Sequence, residues 1–151
     1  MPFNITNTLR TLQDFVAKTG SFSGIIIGEP AKIAAGEQLS AAIYMEEARV
    51  VELTLGTTIE VHTATLRIYR KALTDPPGDA ELEIAVAVQK LLSDILADAD
   101  LGASIRAIDV GGIYGAAVGT KWGYIELGGV IYRVADITIP LIVDDSATTT
   151  I

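Results

Sequence analysis

Residues 57–70 read TTIEVHTATLRIYR, and this stretch is the strongest indication of the fold. β-Branched and aromatic residues dominate it, which is typical of a strand. Near its start, Ile59 and Val61 fall on one side of a strand with a period of two. Near its end, Leu66 and Ile68 fall on the other side, so a regular strand cannot direct all four to one core.

Two explanations of this stretch are open. A bulge could lie near His62 to Thr65, or different parts of one long strand could bury different faces. The second is favoured if the domain sits in a ring, because a neighbouring subunit could then cover the other face. In the preceding residues, Leu39 to Leu55, Ile43 and Met45 alternate with Ala42 and Tyr44. The sequence therefore predicts two long strands around Gly56.

A helix is predicted on each side of these two strands. Apolar residues at positions i, i+4, i+7 and i+11 predict the first over Ile5 to Thr19, with Asn4 as its N-cap and Gly20 beyond its end. The second is predicted over Ala80 to Asp98, after a proline- and glycine-rich break at residues 74–79. Both carry an apolar stripe that a sheet can cover.

Further strands complete the pattern. They are predicted at Ile25 to Ile27, Ser104 to Val110, Trp122 to Leu127 and Val130 to Val143. Gly128-Gly129 predicts a two-residue hairpin between the last two, and Pro140 predicts an edge or a kink. The order helix, strands, helix, strands indicates the α+β class, with an antiparallel or mixed sheet and two main helices packed on it. We expect one domain over residues 1–151, with an ordered core at about 5–143 and a C-terminal tail at 144–151.

Composition narrows the classes of function. The 151 residues suit one domain, and 11 Lys plus Arg against 19 Asp plus Glu give a net charge of −8, which argues against a nucleic-acid binder. Mean hydropathy is high at +0.42, yet no apolar run approaches the ~18 residues that span a membrane. We therefore attribute the excess apolar surface to oligomer interfaces. The N-terminus lacks the pattern of a signal peptide, so a cytosolic product is expected.

The sequence contains no arrangement that is typical of an active site. The stretch GAAVGTK at 115–121 has three residues between its glycines, whereas a phosphate-binding loop has four. His62 could act as a general base, although a structural histidine is the more ordinary interpretation. Glu46-Glu47 could join a metal site, but hard cations need several clustered oxygens. We predict no catalytic residue, no cofactor and no metal.

Two groups of residues are predicted to make contacts with other proteins. Arg67, Tyr69 and Arg70 are residue types enriched in interfaces, so they are predicted to form a subunit interface. The segment Gly111 to Lys121 holds four glycines. Its residues Ile113, Tyr114 and Val118, with Trp122 just beyond, are predicted to form a docking loop. Either the loop orders only on docking, or it is a tight hairpin packed on its own core.

Taken together, the order of segments resembles the tail terminator, or tail completion, proteins of long non-contractile-tailed phages, of the type found in phages of actinobacteria. The likeness extends from about Ile5 to Val143. It lies in the N-terminal helix and in Leu66 to Arg70, Asp75-Pro76 before the second helix, Ile105 to Val110, and Tyr132 to Leu141.

The resemblance implies a homo-hexameric ring in the virion, at the end of the tail near the neck. Such a ring stops polymerisation of the tube and joins the tail to the head. The implied partners are the major tail tube protein and the head–tail connector protein, with no membrane and with DNA passing through without specific binding. The alternative is another neck, connector or minor tail component. A small-molecule-binding domain or an enzyme that uses His62 is a further possibility of a different class.

If a ring forms, an acidic lumen suits the passage of DNA because it repels phosphate. The carboxylates predicted to line it are Glu81, Glu83, Asp94, Asp98 and Asp100. The last three cluster where the helix dipole disfavours negative charge. The ordinary alternative, a solubilising face, also stays open.

Overall fold

The structure, a computed structural model, describes residues 4–19, 22, 24–28, 39–54, 56–72, 78–97 and 105–144. Two helices and six strands lie within them and place the chain in the mixed α+β class. In chain order they are α1 (Ile5–Ala17), β1 (Gly24–Ile27), β2 (Ser40–Thr54), β3 (Thr57–Lys71), α2 (Asp79–Ala97), β4 (Ala107–Ile108), β5 (Gly119–Leu127) and β6 (Val130–Asp144).

All six strands join one sheet in the order β1-β2-β3-β6-β4, with β5 also paired to β6. β1 and β2 are parallel, and the other pairs are antiparallel. β3 pairs with one edge of β6. The other edge pairs with β4 at Leu141 and Ile142 and with β5 from Val130 to Thr138. Pro140 lies in the break between them, where a missing N–H interrupts no ladder bond. Its carbonyl accepts a hydrogen bond from the Asp109 amide at 2.9 Å.

The strand β3, which contains residues 57–70, is regular. β3 pairs with β6 from Ile59 to Lys71 with no shift of register, so β3 itself has no bulge near His62; the bulge opposite Thr63 and Ala64 belongs to β2. Val61 is buried on one face, whereas Leu66 and Ile68 are buried on the other. The prediction that one strand buries two faces is therefore confirmed, although residues of the same chain cover both. The register shifts lie in β2, before Glu47 and before Glu52.

Both helices pack on one face of the sheet, which we call the helix face. α1 contributes Leu12 and Val16, and α2 contributes a stripe centred on Ile84 and Leu91. They cover the central row that Ile43, Leu66 and Ile137 form across three strands. Burying a side chain of this size stabilises the fold by roughly 1.5–3 kcal/mol, so this cluster is the main core.

The opposite face, the far face, holds a smaller buried cluster of Ala42, Tyr69, Tyr132 and Val134. The rings of Tyr69 and Tyr132 meet edge to face, with their centroids 6.4 Å apart. Aromatic pairs in this arrangement add to the stability that burial alone provides. The long strands of one chain therefore bury apolar side chains on both faces of the sheet.

Most predicted boundaries agree with the structure, and one strand does not. Asn4 caps α1, since its side chain accepts a hydrogen bond from the Asn7 amide at 3.2 Å. The hairpin at Gly128-Gly129 is confirmed by φ angles of 58° and 80°, as two-residue turns require. The strand predicted over Ser104 to Val110 is only two residues long, because β6 offers β4 a short edge. Gly20, Asp98, residues 74–77 of the predicted break and residues 145–151 of the predicted tail lie outside the described residues.

Candidate assembly surface

The segment from Asp109 to Val118, which we call the presenting loop, is built on a buried carboxylate. Asp109 is only 2% exposed. One of its oxygens accepts a hydrogen bond from the Ile113 amide at 2.8 Å, and the other accepts one from the Tyr114 amide at 3.0 Å. A buried carboxylate needs such donors, and here they close the loop into a compact turn.

Two glycines and an arginine fix the loop further. A Cβ atom on Gly112 would lie 2.7 Å from the Gly115 carbonyl oxygen, and one on Gly115 would lie 2.8 Å from a guanidinium nitrogen of Arg49. Arg49 reaches from β2 to donate to the Tyr114 carbonyl at 2.7 Å, while its Nε lies 2.7 Å from a carboxylate oxygen of Glu47. Arg49 thus ties the loop to β2, which lies on the other side of β3 from β6.

These contacts leave the apolar side chain of Ile113 exposed to solvent. Ile113 is 82% exposed, although Asp109 binds its own amide. Residues 110–120 carry no charged side chain at all. Of the other predicted docking residues, Tyr114 and Val118 are half-buried, and Val118 packs against the main core. Trp122 belongs to β5 rather than to the loop.

This geometry bears on the two interpretations of the loop. The hydrogen bonds of Asp109 and Arg49 lie within one chain, so they fold the loop without a partner. The loop as described is a compact turn anchored on its own chain, and both interpretations stay predictions. Its exposed apolar tip retains the chemistry of a docking site, and that role stays a prediction.

Arg67 and Tyr69, predicted at a subunit interface, lie on the far face of one chain. Arg67 makes two hydrogen bonds to the Asp136 carboxylate and lies 5.6 Å from the centre of the Tyr44 ring. Tyr69 is 2% exposed. Only the partly exposed side chains of this group can offer surface to a neighbour, and their interface role stays a prediction.

Arg70 lies on the helix face instead, beside Arg133 in the ladder between β3 and β6. These two arginines bind two of the predicted lumen carboxylates. Arg70 binds Glu83 at 2.5 Å, and Arg133 binds Glu81 at 2.8 Å. The hydrogen bond from Arg133 lowers the pKa of Glu81. Both pairs fasten the first turns of α2 to the sheet and reduce its outward negative charge.

Of the other three carboxylates predicted to line a lumen, the structure describes one. Asp94 is half-buried on α2, while Asp98 and Asp100 lie outside the described residues. The acidic lumen stays a prediction, and its field depends on carboxylates other than Glu81 and Glu83. Nothing in sequence spacing alone indicated those two ion pairs, because their partners lie on β3 and β6.

Apart from Asp79 at its start and Lys90 at its border, the side of α2 that points away from the sheet carries no charged residue, and sequence reasoning missed it. At 100° per residue, Leu82, Val86 and Leu96 fall opposite Ile84 and Leu91, and all three are exposed. The positions between them are Ala85, Gln89, Ser93 and Ala97, also exposed. A surface helix ordinarily carries charged residues there. The signal was present in the sequence, since the remaining charged residues of α2 lie on its flanks.

His62 lies in an open groove of about 530 Å³ between the start of α1 and the bend of β2. The groove is lined by Ile5, Met45, Glu46, Glu47, Ala48, Glu60 and His62. His62 Nε2 lies 2.9 Å from a Glu60 oxygen, and the Thr65 hydroxyl donates to Glu46 at 3.2 Å. The polar lining is thus engaged within the chain. Among the described residues, no group of three or more His, Asp or Glu side chains is placed to hold a metal ion.

No model of a known protein family matches the chain, and no curated protein matches it. Within the described residues, neither helix is long and apolar enough to cross a membrane.

Proposed function

We propose that the protein is a structural subunit that assembles into a ring, and that this ring caps the end of a phage tail tube. One observation carries the proposal. A buried carboxylate and two glycines with positive φ shape the loop that leaves Ile113 82% exposed. Burying such a side chain is favourable by roughly 1.5–3 kcal/mol, so the loop is shaped for a partner.

The position of a second apolar surface supports a head-to-tail contact. Arg49, which binds the presenting loop, pairs with Val61 and lies on the far face. The outer side of α2, with the exposed Leu82, Val86 and Leu96, points outward from the helix face. A head-to-tail ring requires two different surfaces on opposite sides of a subunit. The presenting loop and the outer side of α2 satisfy this requirement.

The link to phage tails rests on the resemblance of the segment order and on charge. A net charge of −8 repels DNA phosphate, as a channel that passes DNA requires. In this proposal the ring stops growth of the tube, contacts the major tail tube protein on one side and the head–tail connector on the other, and resides in the virion. It performs no catalysis.

The proposal is tested by a pair of matched isoleucine variants. Ile131 is also exposed, but it lies at the hairpin end of β6, away from the presenting loop. In native mass spectrometry of the purified protein, Ile113→Ser should shift the population from closed oligomers to single subunits. Ile131→Ser should assemble like the unmodified protein. Equal assembly of both variants would contradict the role of the loop.

A further inference from the structure

The edges of the sheet are protected unequally. At β1, the Gln13 side chain of α1 donates to the outward Ile25 carbonyl at 2.8 Å. The outer half of β2 carries the register shifts before Glu47 and Glu52, together with charged side chains. Helix cover, bulges and charges are the means by which proteins prevent unwanted strand pairing.

β5 is less protected than β2, because its two charged residues, Lys121 and Glu126, are not accompanied by a bulge. Its nine residues, Gly119–Leu127, pair with β6 without a shift of register. No residue in the described part of the chain pairs with its other edge. The exposed Trp122 and Tyr124 stand along it. A regular, open edge with exposed aromatic side chains is a template for a further strand.

The hairpin determines which backbone groups of β5 face outward. In a two-residue hairpin, the residues flanking the turn, here Leu127 and Val130, form a hydrogen-bonded pair. Alternation along an antiparallel ladder then directs the N–H and C=O groups of Thr120, Trp122, Tyr124 and Glu126 away from β6. Unpaired donors and acceptors therefore recur at every second residue.

We propose that this edge binds the same edge of a second copy, so that two β5 strands form an antiparallel ladder around a twofold axis at Gly123. This register uses all nine residues of each strand. It also places outward backbone groups opposite outward backbone groups, with Trp122 opposite Tyr124 of the second copy. An antiparallel self-pair is an isologous contact, in which one surface serves both copies.

The side chains of β5 complement one another in this register. Trp122 and Tyr124 form two cross-strand aromatic pairs, which stabilise a sheet. On the opposite face, Gly119 lies across from Leu127, and Lys121 lies across from Ile125. No two like charges oppose one another. The second copy is therefore a better occupant than a strand of unrelated sequence.

This pair goes beyond the proposed ring. A twofold contact cannot be the repeating contact of a head-to-tail ring. It describes the free protein before assembly, when pairing covers an edge that would otherwise aggregate. Ring formation at the presenting loop and pairing at β5 involve different residues, so either can fail while the other holds.

Single cysteines test the pair directly, because the chain has no cysteine of its own. Gly123 faces itself across the axis at a non-hydrogen-bonded position, where Cα atoms lie about 4.5 Å apart, within the range of a disulfide. A Cβ atom at 123 would meet only Val134 Cγ2, at 3.9 Å. The matched control is Lys121→Cys, whose copies would lie about 13 Å apart.

Under mild oxidation of the purified protein, Gly123→Cys should form a covalent dimer and Lys121→Cys should not. Failure of Gly123→Cys to cross-link, or equal cross-linking of both, would overturn the proposal. Sedimentation velocity gives a second readout. Tyr124→Pro, which removes an outward N–H, should weaken the dimer about tenfold or more, since a ladder bond is lost from each copy. Tyr124→Thr retains that N–H and should weaken it less, and equal weakening would count against a backbone ladder.

Discussion

Arg67 and Asp136 face each other on β3 and β6 and are joined by two hydrogen bonds, of 2.6 Å from Nε to Oδ1 and 2.9 Å from Nη2 to Oδ2. This bidentate geometry is the strong form of an arginine–carboxylate pair. The hydrogen bond to Asp136 raises the pKa of Arg67. The pair lies beside the buried Ala42 and Val134 on the far face, so it connects two central strands where no helix covers them.

Arg67→Ala should lower the free energy of unfolding by about 1–3 kcal/mol, because Asp136 loses two charged donors in a partly buried place. The control is Arg106→Ala, whose contact with Asp144 is longer, at 3.8 Å, and half exposed. That change should cost at most about 1 kcal/mol. Urea denaturation of both variants checks the difference, and equal costs would contradict it. A loss of assembly larger than the loss of stability would support the predicted interface role of Arg67.

Asp109→Ala should free the presenting loop. In the isolated protein, hydrogen exchange should show protected amides at Ile113 and Tyr114, because the Asp109 carboxylate accepts from both. The variant should lose that protection and about 1–3 kcal/mol of stability. Asp14→Ala, on the exposed side of α1, serves as the control. Fast exchange of these amides in the unmodified protein would show that the loop orders only on docking.

The double change Leu82→Gln and Val86→Gln should leave the fold intact. Both side chains are exposed, and glutamine is a good helix former, so stability should change by no more than about 0.5 kcal/mol per site. Self-association should weaken, because the outer side of α2 loses its apolar character. Ile84→Ala, on the opposite side of α2 and fully buried, should instead cost about 2–5 kcal/mol. A large loss of stability in the double variant would place these side chains in the core.

Acidification should weaken the contact between α2 and the sheet. The hydrogen bond from Arg133 lowers the folded-state pKa of Glu81 below its ordinary value of 4.5. This contribution to stability is therefore present above about pH 4.5 and is lost as the pH falls through the folded pKa. The stability difference between the unmodified protein and Glu81→Gln should shrink between about pH 6 and about pH 3. A difference that does not depend on pH would refute this role of the pair.

Periodicity explains why much of the fold could be predicted from the sequence. The apolar stripes of α1 and α2 and the alternation of β2 and β3 are local signals, and the structure confirms those four elements. Gly128-Gly129 predicted its hairpin because few residues other than glycine adopt positive φ at both positions. The short β4 differs from prediction, since its length depends on how much of the β6 edge β5 leaves free.

The candidate site depends on contacts that local patterns do not encode. Arg67 and Asp136 are 69 residues apart, so the composition of β3 indicated an interface arginine rather than an internal ion pair. Asp109 resembled an ordinary residue at a strand end, yet its carboxylate organises the presenting loop. Glu81 resembled a free acidic side chain until the sheet placed Arg133 beside it. In each case the partner came from another strand.

Subunit counting by cryo-electron microscopy of intact tails tests the central claim most directly. The account predicts six copies in a closed ring at the end of the tail tube, with Ile113 of each copy buried against a neighbouring subunit. A single copy in the particle, or a ring in which Ile113 faces solvent, would contradict it.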